Sequence, residues 1–181
     1  QMKLKNEKIE IPTSKIKLIL ILFGLILFVV LGIYLAKNPD YFVSDRHRNP
    51  EMIRIVGVFS VSFFSLIGFY VIIKLFDSKP GLIIDEKGIT DNSSAIAIGL
   101  ILWKDIVSIR TEKIQTTNFL IIEVNNPEEY IKNTSRFKKF LLKTNFRIYG
   151  TPLSINASGL KTNFKNLETL IQTEFEKHKL N

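Results

Sequence analysis

The chain has 181 residues, two histidines, no cysteine and a formal net charge of +8. Without cysteine there is no disulfide staple, no thiolate metal site and no cysteine nucleophile. The positive balance is a poor argument for nucleic acid, because half of it lies in residues 1–54, where nine Lys/Arg meet five Asp/Glu beside an apolar run.

Residues 18–36 form that run, and residues 55–73 form a second. Neither holds a charge; Lys17 and Lys37 close the first, Arg54 and Lys74 the second. A helix needs roughly 20 apolar residues to cross the hydrocarbon of a bilayer. Two such runs in so short a chain predict two transmembrane helices. Met2 follows Gln1 and is taken as the native start. The Lys-rich beginning resembles a signal peptide, but the first run exceeds the roughly 7–15 residues of an h-region and no A-x-A pattern follows it. Both helices are therefore expected to be retained.

Basic residues collect on the cytoplasmic side of spans. Lys3, Lys5, Lys8, Lys15 and Lys17 precede the first run, and Lys74, Lys79 and Lys87 follow the second. The loop of residues 37–54 carries only Lys37, Arg46, Arg48 and Arg54. This asymmetry predicts an N-terminal tail (1–17) and a C-terminal domain (81–181, after a linker 74–80) in the cytoplasm, with the loop outside. Gly32 and Ala36 make a small-xxx-small pair, and Gly57, Ser60, Ser65 and Gly68 share a face of the second helix. Such faces admit close helix contact, within the hairpin or between copies in a homo-oligomer. No ionisable residue lies inside either run. Conduits ordinarily carry such residues, so an anchor is expected.

Beyond Pro80 the pattern turns to short strands. Gly81-Leu82-Ile83-Ile84 and Ile89-Thr90-Asp91 flank a turn at Asp85-Glu86-Lys87-Gly88. Residues 96–102 continue the apolar theme; Trp103-Lys104-Asp105 is a turn into a strand at residues 106–110. Residues 119–124 are β-branched and apolar, and Asn125-Asn126-Pro127 stops them. Pro127 with Glu128 and Glu129 suits a helix start. Residues 128–147 then hold Lys132, Arg136, Lys138, Lys139, Lys143 and Arg147, interrupted by Phe137, Phe140, Leu141 and Leu142. This segment reads either as helices packing their apolar side on the domain or as a basic amphipathic element against anionic lipid headgroups. A turn at Tyr149-Gly150-Thr151-Pro152, a last strand over 153–160 and a helix from Asn163 follow. Phe164, Leu167, Leu170, Ile171 and Phe175 share the inner face of that helix.

The expected fold is thus a membrane α-helical hairpin plus an α+β soluble domain, a small, partly open β-barrel capped by a C-terminal α-helix. The order of features resembles a family of bacterial membrane proteins with two N-terminal helices and a PH-like domain. The residues that carry the resemblance are Gly81-Leu82-Ile83-Ile84-Asp85 with Gly88-Ile89, Trp103-Lys104-Asp105-Ile106, Asn126-Pro127-Glu128, Tyr149-Gly150-Thr151-Pro152 with Ile155, and Leu167 with Leu170. It implies fold and inner-membrane topology, with no established activity. The hairpin of residues 85–94 has Lys87 alone against Asp85, Glu86 and Asp91, so it lacks the converging cations that inositol phosphates require.

No phosphate-binding loop, nucleophile elbow or H-E-x-x-H motif occurs. Asp85-Glu86 and Glu128-Glu129 suit turn and helix-start roles, and Glu174 with His178 is an isolated pair. The sequence predicts no enzyme, no cofactor, no metal and no nucleic acid. The expected partners are the membrane and an unidentified protein. Two functions fit: a PH-like interaction domain presented at the cytoplasmic face of the bacterial inner membrane, or an immunity or accessory protein that neutralises a membrane-active toxin.

Overall fold

The computed structural model describes residues 8–43, 49–132 and 134–179, which form two compact units. Lys3, Lys5, Arg46, His47 and Arg48 lie outside the described residues.

One unit, Lys15–Ser78, is a helical hairpin. Helix α1 spans Lys15–Lys37 and α2 spans Pro50–Phe76, 23 and 27 residues. At 1.5 Å per residue they are about 35 and 40 Å long, enough for a hydrocarbon layer of about 30 Å. Both exceed the uncharged runs. α2 begins at Pro50 because Asn49 caps it, its side chain accepting from the Glu51 N–H at 2.9 Å, and Arg54 pairs with Glu51 at 2.6 Å within the first turn. The connecting loop is correspondingly shorter than residues 37–54. Only Leu18 and Gly32 of α1, and Gly57, Gly68 and Val71 of α2, are buried. Helices this apolar and this exposed are not core helices of a water-soluble fold. By length and composition both can span a membrane.

The helices meet at small residues. A Cβ on Gly57 would lie 2.6 Å from the Ala36 backbone nitrogen and 2.7 Å from the Gly32 carbonyl oxygen. A Cβ on Gly32 would lie 3.0 Å from the Gly57 carbonyl oxygen and 3.1 Å from Ser60 Cβ. Gly32, Ala36, Gly57 and Ser60 are thus used within the hairpin itself. Gly68 also faces α1, with looser contact to Leu22, whereas Ser65 is exposed.

The other unit joins residues 1–14 to 79–181. A first antiparallel sheet has the order β1 (Ile9–Ile11), β2 (Leu82–Ile84), β3 (Gly88–Asp91), β4 (Gly99–Leu102). A second contains β5 (Ile106–Ile114), β6 (Thr117–Val124) and β7 (Leu153–Ile155), also antiparallel. Helices α3 (Pro127–Lys132) and α4 (Arg136–Tyr149) lie between β6 and β7 in sequence, and α5 (Phe164–Lys179) ends the chain. The expected barrel is not seen as such: the two sheets are not joined into a closed one. Residues 153–160, read as one strand, form only β7 and a turn, after which Leu160 bridges Thr13.

The sequence places residues 9–11 in an N-terminal tail, whereas they form strand β1. It pairs with β2 through Ile9↔Ile84, Glu10↔Ile83 and Ile11↔Leu82. The ladder is extended where the Ser14 N–H donates to the Gly159 carbonyl and the Lys161 N–H to that of Pro12. Ile11 thereby enters the main core beside Leu82, Ile84, Ile89, Leu120 and Leu160. Leu167, Ile171 and Phe175 of α5 close that core, as their spacing predicts, while Phe164 and Leu170 pack at its margin. Trp103 belongs to the same core; its Nε1 donates to the Asp85 carbonyl at 2.8 Å and its ring stacks on His178 at 4.8 Å.

Two expected outcomes follow from this packing. Gly57→Ala overpacks a backbone contact and lowers stability of the detergent-solubilised protein by about 1–3 kcal/mol, whereas Gly24→Ala, with nothing within 4 Å of its Cβ, is neutral in the same thermal melts. Ile11→Ala opens a cavity in the sheet domain and costs about 2–5 kcal/mol, measured by urea unfolding followed through Trp103 fluorescence.

Candidate functional site

The face built by α3 and α4 gathers most of the predicted basic residues. α4 begins at Ser135, whose hydroxyl accepts from the Lys138 N–H at 3.5 Å, and ends at Gly150. Gly150 takes φ 75°, the left-handed conformation that terminates helices, and its N–H donates to the Phe146 carbonyl at 3.0 Å.

Register across the second sheet fixes how α4 lies. Arg110, Ile121 and Ser154 are paired across β5, β6 and β7 and so share one sheet face. Arg110 donates to the Tyr149 carbonyl at 2.7 Å, and Asn145 donates to the Ser154 hydroxyl at 3.4 Å. These bonds hold α4 over that face, where Ile121, Ile131 and Leu142 are buried apart from the main core. Arg110 is itself held by Glu112 and by Glu123, the latter at 3.0 Å. The Ser108 hydroxyl, donating at 2.6 Å, is the first reason that the Glu123 carboxyl is held below its ordinary value, and Arg110 is the second.

The helix thus carries three stripes. Lys138, Leu142, Asn145 and Tyr149 face the sheet, at spacings of four, three and four residues. Lys138 is half-buried and donates to the Ala97 carbonyl, so it leaves the basic face on which the sequence had placed it. Arg136, Lys139, Lys143 and Arg147 form a second stripe at the same kind of spacing. Phe137, Phe140, Leu141, Thr144 and Ile148 form a third, directly beside the second. Phe137 is 71% exposed, Phe140 66% and Ile148 62%. Of the apolar residues named from sequence, Leu142 is buried and Leu141 half-buried, while Phe137 and Phe140 are turned to solvent.

Between α3 and α4 lies an open cleft of about 520 Å³. Lys132, Lys139, Lys143 and Arg147 surround it, with Glu128 as the one carboxylate and Ile131 and Phe146 among the apolar lining. Among the described residues, none of these four cations, nor Arg136, has a side-chain hydrogen bond or ion pair. Four like charges around one cleft repel each other unless an anion enters. The local field of the cleft is positive, offset in part by Glu128. The cleft is not legible in the sequence, and neither is which stripe of α4 stays exposed, because only the sheet register says which one is covered.

α3 is positioned by one phenol. Tyr130 donates to Asp105 Oδ2 at 2.8 Å and accepts from the Leu102 N–H at 3.3 Å. Burial first, and the Asp105 hydrogen bond second, push the Tyr130 phenol up to about 12. Asp105 is thereby used in tertiary packing. Asp85 accepts from the Lys87 and Gly88 N–H groups, the turn role expected of it. Glu174 pairs with Lys177 at 2.6 Å, while His178 Nδ1 lies 2.8 Å from the Glu174 carbonyl oxygen, so the two side chains do not converge on a common ion. Among the described residues there is no group of three or more metal-ligating side chains.

The raised phenol sets a pH dependence. Tyr130 is held neutral above its ordinary value of 10.0. Its contribution to stability is complete below that value and is lost as pH rises through about 12. Absorbance titration of the full chain shows a late-ionising component that Tyr130→Phe removes. The same substitution leaves Asp105 without its donor and costs about 1–2 kcal/mol in urea unfolding.

Comparison of the chain with protein families, with curated proteins and with solved structures finds no match.

Proposed function

We propose that this chain is a membrane-anchored, non-catalytic protein that presents its sheet domain as a protein-interaction module at the cytoplasmic face of the bacterial inner membrane. The observation that carries the proposal is the β1–β2 ladder. β1 precedes the hairpin and β2 follows it, so a completed sheet requires both ends of the hairpin to emerge on one side of a bilayer. An even number of crossings satisfies this; one crossing does not. Three residues separate β1 from α1 and five separate α2 from β2, so two short connections hold the domain at the surface. The side with more Lys and Arg is the cytoplasmic one.

A PH-like arrangement is the finer reading of the domain. It is supported by consecutive antiparallel strands followed by a closing helix whose Leu167, Ile171 and Phe175 reach the core. A non-catalytic role is supported by where the polar groups are used: Asp105 on Tyr130, Glu123 on Ser108 and Arg110, and His178 against Trp103. Leu100 on β4 and Val107 on β5 are exposed apolar positions on strands that, among the described residues, pair on one side only. Such edges accept a partner's strand.

Two measurements test the proposal. A phosphatase fused to the C-terminus stays inactive in cells, and a periplasmically active fusion overturns the topology. A photo-cross-linker at Leu100 in the full chain, activated in cells, yields one discrete protein adduct. If that adduct is a membrane-active toxin, the immunity reading replaces the general one. If the purified protein instead turns over a substrate and loses that activity on a single substitution, the non-catalytic reading fails.

A further inference from the structure

We infer that the α4 face is a docking surface for acidic phospholipid, with its apolar stripe entering the headgroup region and the cations of the α3–α4 cleft taking lipid phosphates. The inference rests on reading α1 and α2 as a bilayer anchor. It goes beyond that reading by giving the sheet domain a lipid ligand of its own.

The exposed stripe supplies the first part of the argument. Phe137 and Phe140 lie one turn apart, and Ile148 lies two turns further on, all more than three-fifths exposed. Leu142, on the opposite side, is fully buried. α4 is thus amphipathic twice: one side is used by the sheet, and a second apolar side is left in water. A helix of this kind, with aromatic and aliphatic residues beside cations, sits in a bilayer interface with its apolar side about 5–10 Å deep.

The charge supplies the second part. Lys143 and Arg147 border the apolar stripe and line the cleft together with Lys139; Glu128 is the one carboxylate in that lining, and among the described residues none of the three cations has an ion pair. An acidic bilayer offers hydrocarbon and, a few ångströms above it, a layer of phosphate. The paired stripes of α4 match that layering. A nucleic acid would satisfy the cations and leave the phenylalanines in water. A zwitterionic headgroup would bring a quaternary ammonium against the same cations. A cleft of about 520 Å³ has room for a phosphodiester with a small polyol such as glycerol. The tether makes weak docking sufficient, because the domain's effective concentration at the surface is high.

The test uses the full chain reconstituted into vesicles. Phe140→Trp places a fluorophore on the stripe, and the parent protein, whose one tryptophan is the buried Trp103, supplies the background to subtract. Phe137→Trp serves as a second reporter should the first disturb folding. In brominated phosphatidylglycerol the added emission falls at least twofold, and in brominated phosphatidylcholine it does not. Lys139→Gln, Lys143→Gln and Arg147→Gln together restore the emission while circular dichroism stays unchanged. Equal quenching in both lipids, no quenching in either, or quenching that survives the triple change overturns the inference. So does an emission change that depends on protein density and not on lipid, which would assign the face to a second copy. Resistance to alkaline carbonate extraction is scored in the same samples. Retained protein with an unquenched reporter removes the docking surface alone, whereas extracted protein removes the anchor beneath it.

Discussion

Three residues of backbone ladder, Ile9–Ile11 against Leu82–Ile84, connect chain segments that lie on either side of the whole helical hairpin. Most of the architecture depends on that ladder. It admits Ile11 to the core, sets Thr13 against Leu160, and gives the first sheet its outer strand. A short strand contributes little by itself, since each net hydrogen bond is worth about 1 kcal/mol. Its influence comes from topology: the pairing makes the hairpin an insertion within the sheet domain rather than an appendage at its start.

The hairpin and the sheet domain solve the burial problem differently. In the hairpin, glycines bring backbones together and leave large apolar side chains facing outward. Close approach at Gly32 and Gly57 is what dispersion requires where lipid removes the hydrophobic drive between helices. In the sheet domain, core residues such as Leu82, Ile89, Leu120 and Leu160 are fully buried. Apart from Thr13 Oγ1, buried polar side-chain atoms among the described residues find partners. Thr151, for example, is buried, yet its hydroxyl donates to the Ile122 carbonyl at 2.6 Å and accepts from the Leu153 N–H. α4 follows neither pattern, because part of its apolar surface has no neighbour within its own domain.

Much of this was legible in the amino-acid sequence because the signals are local. The apolar runs, the Asp85–Gly88 turn, the strands expected at residues 81–84, 89–91, 106–110 and 119–124, and the inner face of α5 fall on observed elements, although β5 runs on to Ile114 and β6 starts already at Thr117. β1 was not legible. Ile9-Glu10-Ile11 alternates for only three residues amid lysines, and its partner lies beyond two helices. The basic residues of 128–147 were visible as a cluster, but the cleft was not, since it needs α3 and α4 folded together. Periodicity also could not say which side of α4 is covered. That depends on Ile121, Arg110 and Ser154 lying in register beneath it.

The ladder also fixes an order of events in biosynthesis. Ile9 leaves the ribosome some 75 residues ahead of its partner Ile84. At about 5–20 residues per second, β1 waits roughly 4–15 s for β2. In that interval α1 and α2 are made and must be disposed of. If α2 fails to cross, β1 and β2 end on opposite sides of the bilayer, and the first sheet loses its outer strand permanently. On the proposed two-crossing topology, completion of the fold records that the hairpin was inserted correctly, and a misinserted chain is left with exposed Ile9, Ile11, Leu82 and Ile84.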